Sequence, residues 1–129
     1  MAALDLGEVR TGVALSDPGG VIASPLEVIP SGDLPAYLRR LVDERNVREV
    51  VVGVPQTLGG EVGFQARRIL ATLDALKGDF PGVRFVEWDE RLTTRIAATG
   101  RLGKKKPVRL DHLAAARMLQ EYLEAGRNV

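Results

Sequence analysis

Cysteine is missing from all 129 residues, which excludes disulfides, thiolate metal sites and a cysteine nucleophile. No apolar run approaches the roughly 20 residues that a membrane-spanning helix needs. A charged head followed by a long apolar stretch is missing as well, so a cytosolic protein without membrane association is expected. Internal repeats, linkers and low-complexity segments are not found. Histidine occurs once, at His112. The most telling absence is local: between Arg91 and Arg109 there are seven basic residues and no acid.

The overall charge of +1 hides that asymmetry. Residues 1–90 carry 14 acids against 9 bases, so an acidic body meets a basic edge. A chain of this length forms one domain, 1–129, with a substantial core but without two lobes around a cleft.

The order of elements follows from hydrophobic pattern and turn residues. Met1–Leu6 reads as a strand, and Gly12–Leu15 as its hairpin partner. Asp17-Pro18-Gly19-Gly20 is a turn, and Val21–Ile29 a third strand in which Pro25 marks an edge or a bulge. Asp33 is placed to cap a helix with Pro35 in its first turn, ending near Asn46. Glu49–Val54 is continuously apolar and β-branched, as in a central strand covered on both faces. A glycine-containing loop over residues 55–60 leads to a helix of about Glu61–Lys77, and Val83–Trp88 is a fifth strand. A short helix capped by Thr93 or Thr94 and a lysine-bearing loop precede the last helix, Leu110–Ala125, closed by Gly126.

Strands separated by helices return in the same direction. The first, fourth and fifth strands therefore share an orientation, and their carboxyl ends open on one edge, where α/β sheets bind ligands. The expected fold is a mixed five-stranded α/β sheet in the order 3-2-1-4-5, with helices on both faces.

Four carboxylates fall at that edge. Asp5 ends the first strand, and an aspartate inside an apolar strand is unusual. Asp89 and Glu90 end the fifth strand, roughly 10 Å away across the fourth at a strand spacing of about 4.8 Å. Neighbouring strand residues point to opposite faces, so one of the pair reaches the site; Glu90 has the longer reach, and Asp89 is the alternative. Asp111 lies in the first turn of the last helix, on the stripe continued by Ala114, Ala115, Met118 and Tyr122, and so faces the sheet. As a plain alternative, it is a favourable charge at a helix amino terminus.

Burying such carboxylates is costly unless a cation lies between them. Oxygen donors alone favour Mg²⁺ or Mn²⁺ over zinc. His112 is expected to face solvent, with assistance to proton transfer beside Asp111 as the alternative. Arg91, Arg95, Arg101, Lys104, Lys105, Lys106 and Arg109 form a strip suited to backbone phosphates; a solvated basic loop is the bland reading. Trp88 is expected in the core, with base stacking as the alternative.

The motifs at these residues resemble those of the YqgF proteins, also called RuvX. Asp5-Leu6-Gly7-Glu8-Val9-Arg10-Thr11-Gly12-Val13-Ala14, with Ser16-Asp17 after it, is similar to their opening motif. Val52-Gly53-Val54-Pro55 with Gly59-Gly60 resembles the second, Asp89-Glu90-Arg91-Leu92-Thr93-Thr94 the third, and Asp111 before an alanine-rich helix the fourth. His112 departs from the small residue usual there.

The resemblance implies an RNase H-like nuclease related to RuvC resolvases, with Asp5, Glu90 (or Asp89) and Asp111 as metal-binding catalytic carboxylates. Arg10 and Arg91 fall on motif positions suited to phosphate. It implies either maturation of the 5′ end of the small-subunit ribosomal RNA precursor or resolution of Holliday junctions; symmetric junction cutting would favour a homodimer. Two other classes compete. An Asp-x-Gly strand-turn also opens sugar kinases and actin-like ATPases, which need two such domains. A binding module with a degenerate metal site would hold nucleic acid without metal dependence.

Overall fold

The computed structural model describes residues 1–54, 63–89 and 109–127. Three antiparallel strands open the chain: β1 (Ala2–Leu6), β2 (Arg10–Ser16) and β3 (Ala23–Pro30). Helix α1 (Leu34–Arg45) leads to β4 (Glu49–Val54), helix α2 (Phe64–Asp79) to β5 (Arg84–Asp89), and α3 spans Arg109–Arg127. The sheet order is β3-β2-β1-β4-β5, with β1, β4 and β5 mutually parallel. That is the expected order, and the carboxyl ends of the parallel strands share one edge.

Alternation along the strands sorts the core into two layers. Leu4, Leu6, Val13, Val50, Val52 and Val54 pack with α1 and α2, through residues such as Leu38, Ile69 and Leu73. On the other face Ala3, Ala14 and Val51 pack with Ala115, Ala116, Met118, Leu119 and Leu123 of α3. Alanines on both sides of this contact let the helix backbone approach the sheet closely. Val50, Val51 and Val52 are all fully buried, as a central parallel strand requires.

Pro25 is both edge residue and bulge. It lies on outer strand β3, where the register jumps from Val13↔Glu27 to Ala14↔Pro25 and leaves Leu26 as the extra residue. Asn46 ends α1 in the left-handed region at φ 56°.

Three expected boundaries are corrected. Asp33 makes no side-chain cap bond: a 3₁₀ turn, Ser31–Asp33, already supplies the Ser31 carbonyl to the Leu34 N–H. Asp33 is itself near-helical (φ −91°, ψ 0°), not extended as a capping side chain needs. Gly126 does not close α3, which continues through it to Arg127. The third strand starts at Ala23 because Asp17 Oδ1 accepts the N–H groups of Val21 and Ile22 at 2.8 Å, holding both residues in the turn. The glycine loop, Glu61, the Thr93/Thr94 helix and the lysine loop lie outside the described residues.

Candidate active site

Asp5 occupies the penultimate position of β1 and has the parity of Ala3, so its carboxylate lies on the α3 face. It is half-buried. Its antiparallel partner on β2 is Gly12. On the other side the register Leu4↔Val52, continued by one residue, places Gly53 beside it. Two glycines therefore flank Asp5, and no side chain of an adjacent strand stands beside it on this face. The row continues to Trp88, which pairs with Gly53.

Helix α3 brings its amino-terminal end to the same place. Its carboxyl-terminal half is anchored at the opposite edge: the Tyr122 hydroxyl donates to Glu49 Oε2 (3.1 Å) at the start of β4. The Gln120 amide bridges the Ala23 N–H (2.8 Å) and the Val21 carbonyl (3.0 Å) at the start of β3. From Tyr122 back to Asp111 the helix covers about 16 Å at 1.5 Å per residue. From the Glu49 level, beside Met1, to Asp5 the sheet advances about 13 Å at 3.3 Å per residue. The first turn of α3, with Asp111 four residues before buried Ala115, thus reaches the level of Asp5.

Trp88 belongs to the core, as the plain reading had it. It packs against the second cluster and meets Tyr122 edge-on, centroids 5.6 Å apart at 90°. Its buried indole Nε1 has no hydrogen-bond partner among the described residues. Burial, then the hydrogen bond to Glu49, pushes the Tyr122 phenol up from its ordinary value of 10.0.

The loop between β1 and β2 forms the rim next to Asp5. Gly7 N–H donates to the Arg10 carbonyl (2.9 Å), and Glu8, Val9 and Arg10 are exposed. Behind this loop stands Arg68, near the start of α2, whose guanidinium lies 3.4 Å from the Gly7 carbonyl. Sequence reading passed over Arg68; the signal was an Arg67-Arg68 pair opening a helix just after a glycine loop at the ligand-binding edge.

The chain matches the family model "RuvX: Holliday junction resolvase" over residues 1–125. It belongs to the RuvX family. That membership makes it a nuclease, a hydrolase of phosphodiester bonds. A relative from Rubrobacter xylanophilus, provisionally named a pre-16S rRNA nuclease, is 60% identical over 131 residues, covering 98% of this chain and 93% of the relative. One from Desulforudis audaxviator with the same provisional name is 40% identical over 136 residues, covering 97% and 96%. Among solved structures, Thermus thermophilus RuvC in complex with a Holliday junction substrate aligns with a TM-score of 0.58 at 17% identity, covering 98% of this chain and 96% of that one. A second T. thermophilus RuvC structure gives 0.55 at 16%. These neighbours place the RuvX chain in the RNase H-like fold.

Of the residues expected at the site, Asp5 and Arg10 are fully described and lie on the same edge. Asp89 ends β5 opposite Val54, and Arg109 and Asp111 open α3. Glu90, Arg91, Arg95, Arg101, Lys104, Lys105 and Lys106 lie outside the described residues. Among the described residues no cluster of three metal-ligating side chains is present, and no helix is long and apolar enough to cross a membrane.

Proposed function

We propose that residues 1–129 form one RuvX nuclease domain that cuts structured nucleic acid with Mg²⁺ or Mn²⁺, with the 5′ end of pre-16S ribosomal RNA as substrate. The observation that carries this reading is Asp5 between two glycines, on the face and at the edge reached by the first turn of α3.

The fit to a divalent ion rests on that surrounding. Asp5 is half-buried, and the adjacent strands leave the space beside it free of side chains. Glu90 and Asp111 would complete an all-oxygen donor set, the kind hard cations prefer. Glu90 is preferred to Asp89 for its longer reach toward the Asp5 face, on which Val86 and Trp88 pack. When bound there, the metal supplies a water of lowered pKa and stabilises the leaving oxygen. The protein's own part is to hold three carboxylates from distant parts of the chain in one place. Arg10, Arg91, Arg95, Arg101, Lys104, Lys105, Lys106 and Arg109 would contact phosphates on either side of the cut, giving affinity without sequence choice. The chain would act in the cytoplasm.

A second reading, favoured by the description of the matching family, is resolution of branched DNA by a homodimer. A cleavage assay with Mn²⁺ decides between them, offering a ribosomal precursor fragment and a four-way junction to the wild type and to Asp5→Asn. Precursor cleavage lost in the variant is expected. Preferential cutting of the junction would favour the second reading, and equal activity in Asp5→Asn would remove the site assignment altogether.

A further inference from the structure

The loop that follows Asp5 is tied down from behind by one residue of another element. Ser31 opens the 3₁₀ turn after β3. Its N–H donates to the Val9 carbonyl at 2.8 Å. Its hydroxyl donates to the Gly7 carbonyl at 2.7 Å. A carbonyl oxygen only accepts, so the Ser31 proton is committed there. In the 3.0 Å contact between Thr11 Oγ1 and Ser31 Oγ the donor is therefore Thr11. Thr11 is fully buried, and its hydroxyl finds its partner in this relay.

A hairpin turn needs only its own cross-strand bonds to close. Here two loop carbonyls are held by Ser31, and the Gly7 carbonyl also faces the Arg68 guanidinium at 3.4 Å. The close approach needs glycine at position 7, because a methyl group there would overlap the Arg10 carbonyl oxygen. The side chains meanwhile point outward: Val9 is 70% exposed, and Glu8 and Arg10 are exposed. This is a fixed backbone presenting solvent-exposed side chains on the edge where Asp5 lies.

We infer that Ser31 is a positioning residue: the Thr11–Ser31–Gly7 relay sets the 7–10 loop so that Arg10 meets a nucleic-acid phosphate next to Asp5. The inference rests on the nuclease reading for the nature of the ligand. Its test is nonetheless separate from cleavage. Binding of a labelled four-way junction and of a labelled ribosomal precursor fragment is followed by fluorescence anisotropy in EDTA.

Four proteins are compared with wild type: Ser31→Ala, Ser31→Thr, Arg10→Ala and the Ser31→Ala/Arg10→Ala double variant. Arg10→Ala is expected to weaken binding about tenfold and Ser31→Ala about fivefold, with a salt dependence reduced by about one phosphate contact. The double variant should bind as Arg10→Ala alone, and Ser31→Thr, which keeps the hydroxyl, should recover most of the affinity. A general loss of structure would instead multiply with the Arg10 effect. Should Ser31→Ala melt below the assay temperature, the near-isosteric Thr11→Val removes the relay's donor and enters the same cycle with Arg10→Ala. Wild-type affinity in the relay variant, or multiplying losses in the double variant, overturns the inference and leaves the nuclease reading standing. Failure of the wild type to bind either nucleic acid defeats both.

Discussion

An aspartate near the end of an apolar strand is unusual, and Asp5 is flanked by Gly12 on β2 and, by continued register, Gly53 on β4. Replacing it with asparagine keeps shape and removes charge. Cleavage in Mn²⁺ is expected to fall by at least about a thousandfold, since the proposed metal ligand is lost, while circular dichroism stays that of the wild type. Residual cleavage near the wild-type rate would refute the role. A second residue-scale prediction concerns the tyrosines, of which the chain has two. Burial, then the bond to Glu27, pushes Tyr37 up to about 12, and Tyr122 is raised by burial and Glu49. The folded state thus keeps its phenolic protons longer than the unfolded chain. The contribution of Tyr37 is fully present below pH 10 and lost as pH rises toward 12; that of Tyr122 is lost in the same direction, above its ordinary value. An ultraviolet titration should show the two tyrosines together less than half ionised at pH 10, where free tyrosine is half ionised; half-ionisation there would contradict the packing of the rings.

At the scale of elements, the strands and helices were legible because their signals were physical and local. Val50–Val54 could only be a strand buried on both faces, and Pro25 could only sit at an edge or a bulge; it does both. What failed were endings decided by partners far away in sequence or by backbone state. Asp33 has the residue type of a cap, yet the 3₁₀ turn before it takes that function. Gly126 has the residue type of a terminator, yet it stays helical. Asn46 shows the opposite case, a terminator that holds its left-handed conformation. Asn46→Ala should therefore cost about 1 kcal/mol of unfolding free energy, the usual penalty for a side chain forced into that region, and Asn46→Gly should cost nothing. Urea denaturation of the two variants checks this; equal midpoints would show that the α1–β4 turn does not depend on that backbone state. Ser31 was illegible for the same reason as the false cap, since its bond reaches back 24 positions to Gly7 and no local pattern announces it; Arg68, 61 positions from Gly7, left only the trace of an arginine pair.

For the whole molecule, the proposed site's parts come from the beginning, the later middle and the end of the chain, and the sheet order brings the ends of β1 and β5 to one edge. Asp5 enters on β1, Asp89 at the end of β5, and Asp111 on a helix that runs back over the opposite face. That β1, β4 and β5 end on one edge was readable from the crossover rules. The arrangement of the basic strip was not, since a run of lysines carries no period. Carboxylates gathered without a cation repel one another, so the metal-free protein should gain from losing one. Asp5→Asn is expected to melt at or above the wild-type temperature in EDTA. With Mn²⁺ at about 100 times its dissociation constant, the wild type should gain about 2.7 kcal/mol by mass action and overtake the variant, which gains less. Thermal melts with and without Mn²⁺ thus predict curves that cross. If metal stabilised both proteins equally, the ion would be binding somewhere that Asp5 does not help to build, and the strand-end carboxylates would have to be explained as a surface charge cluster.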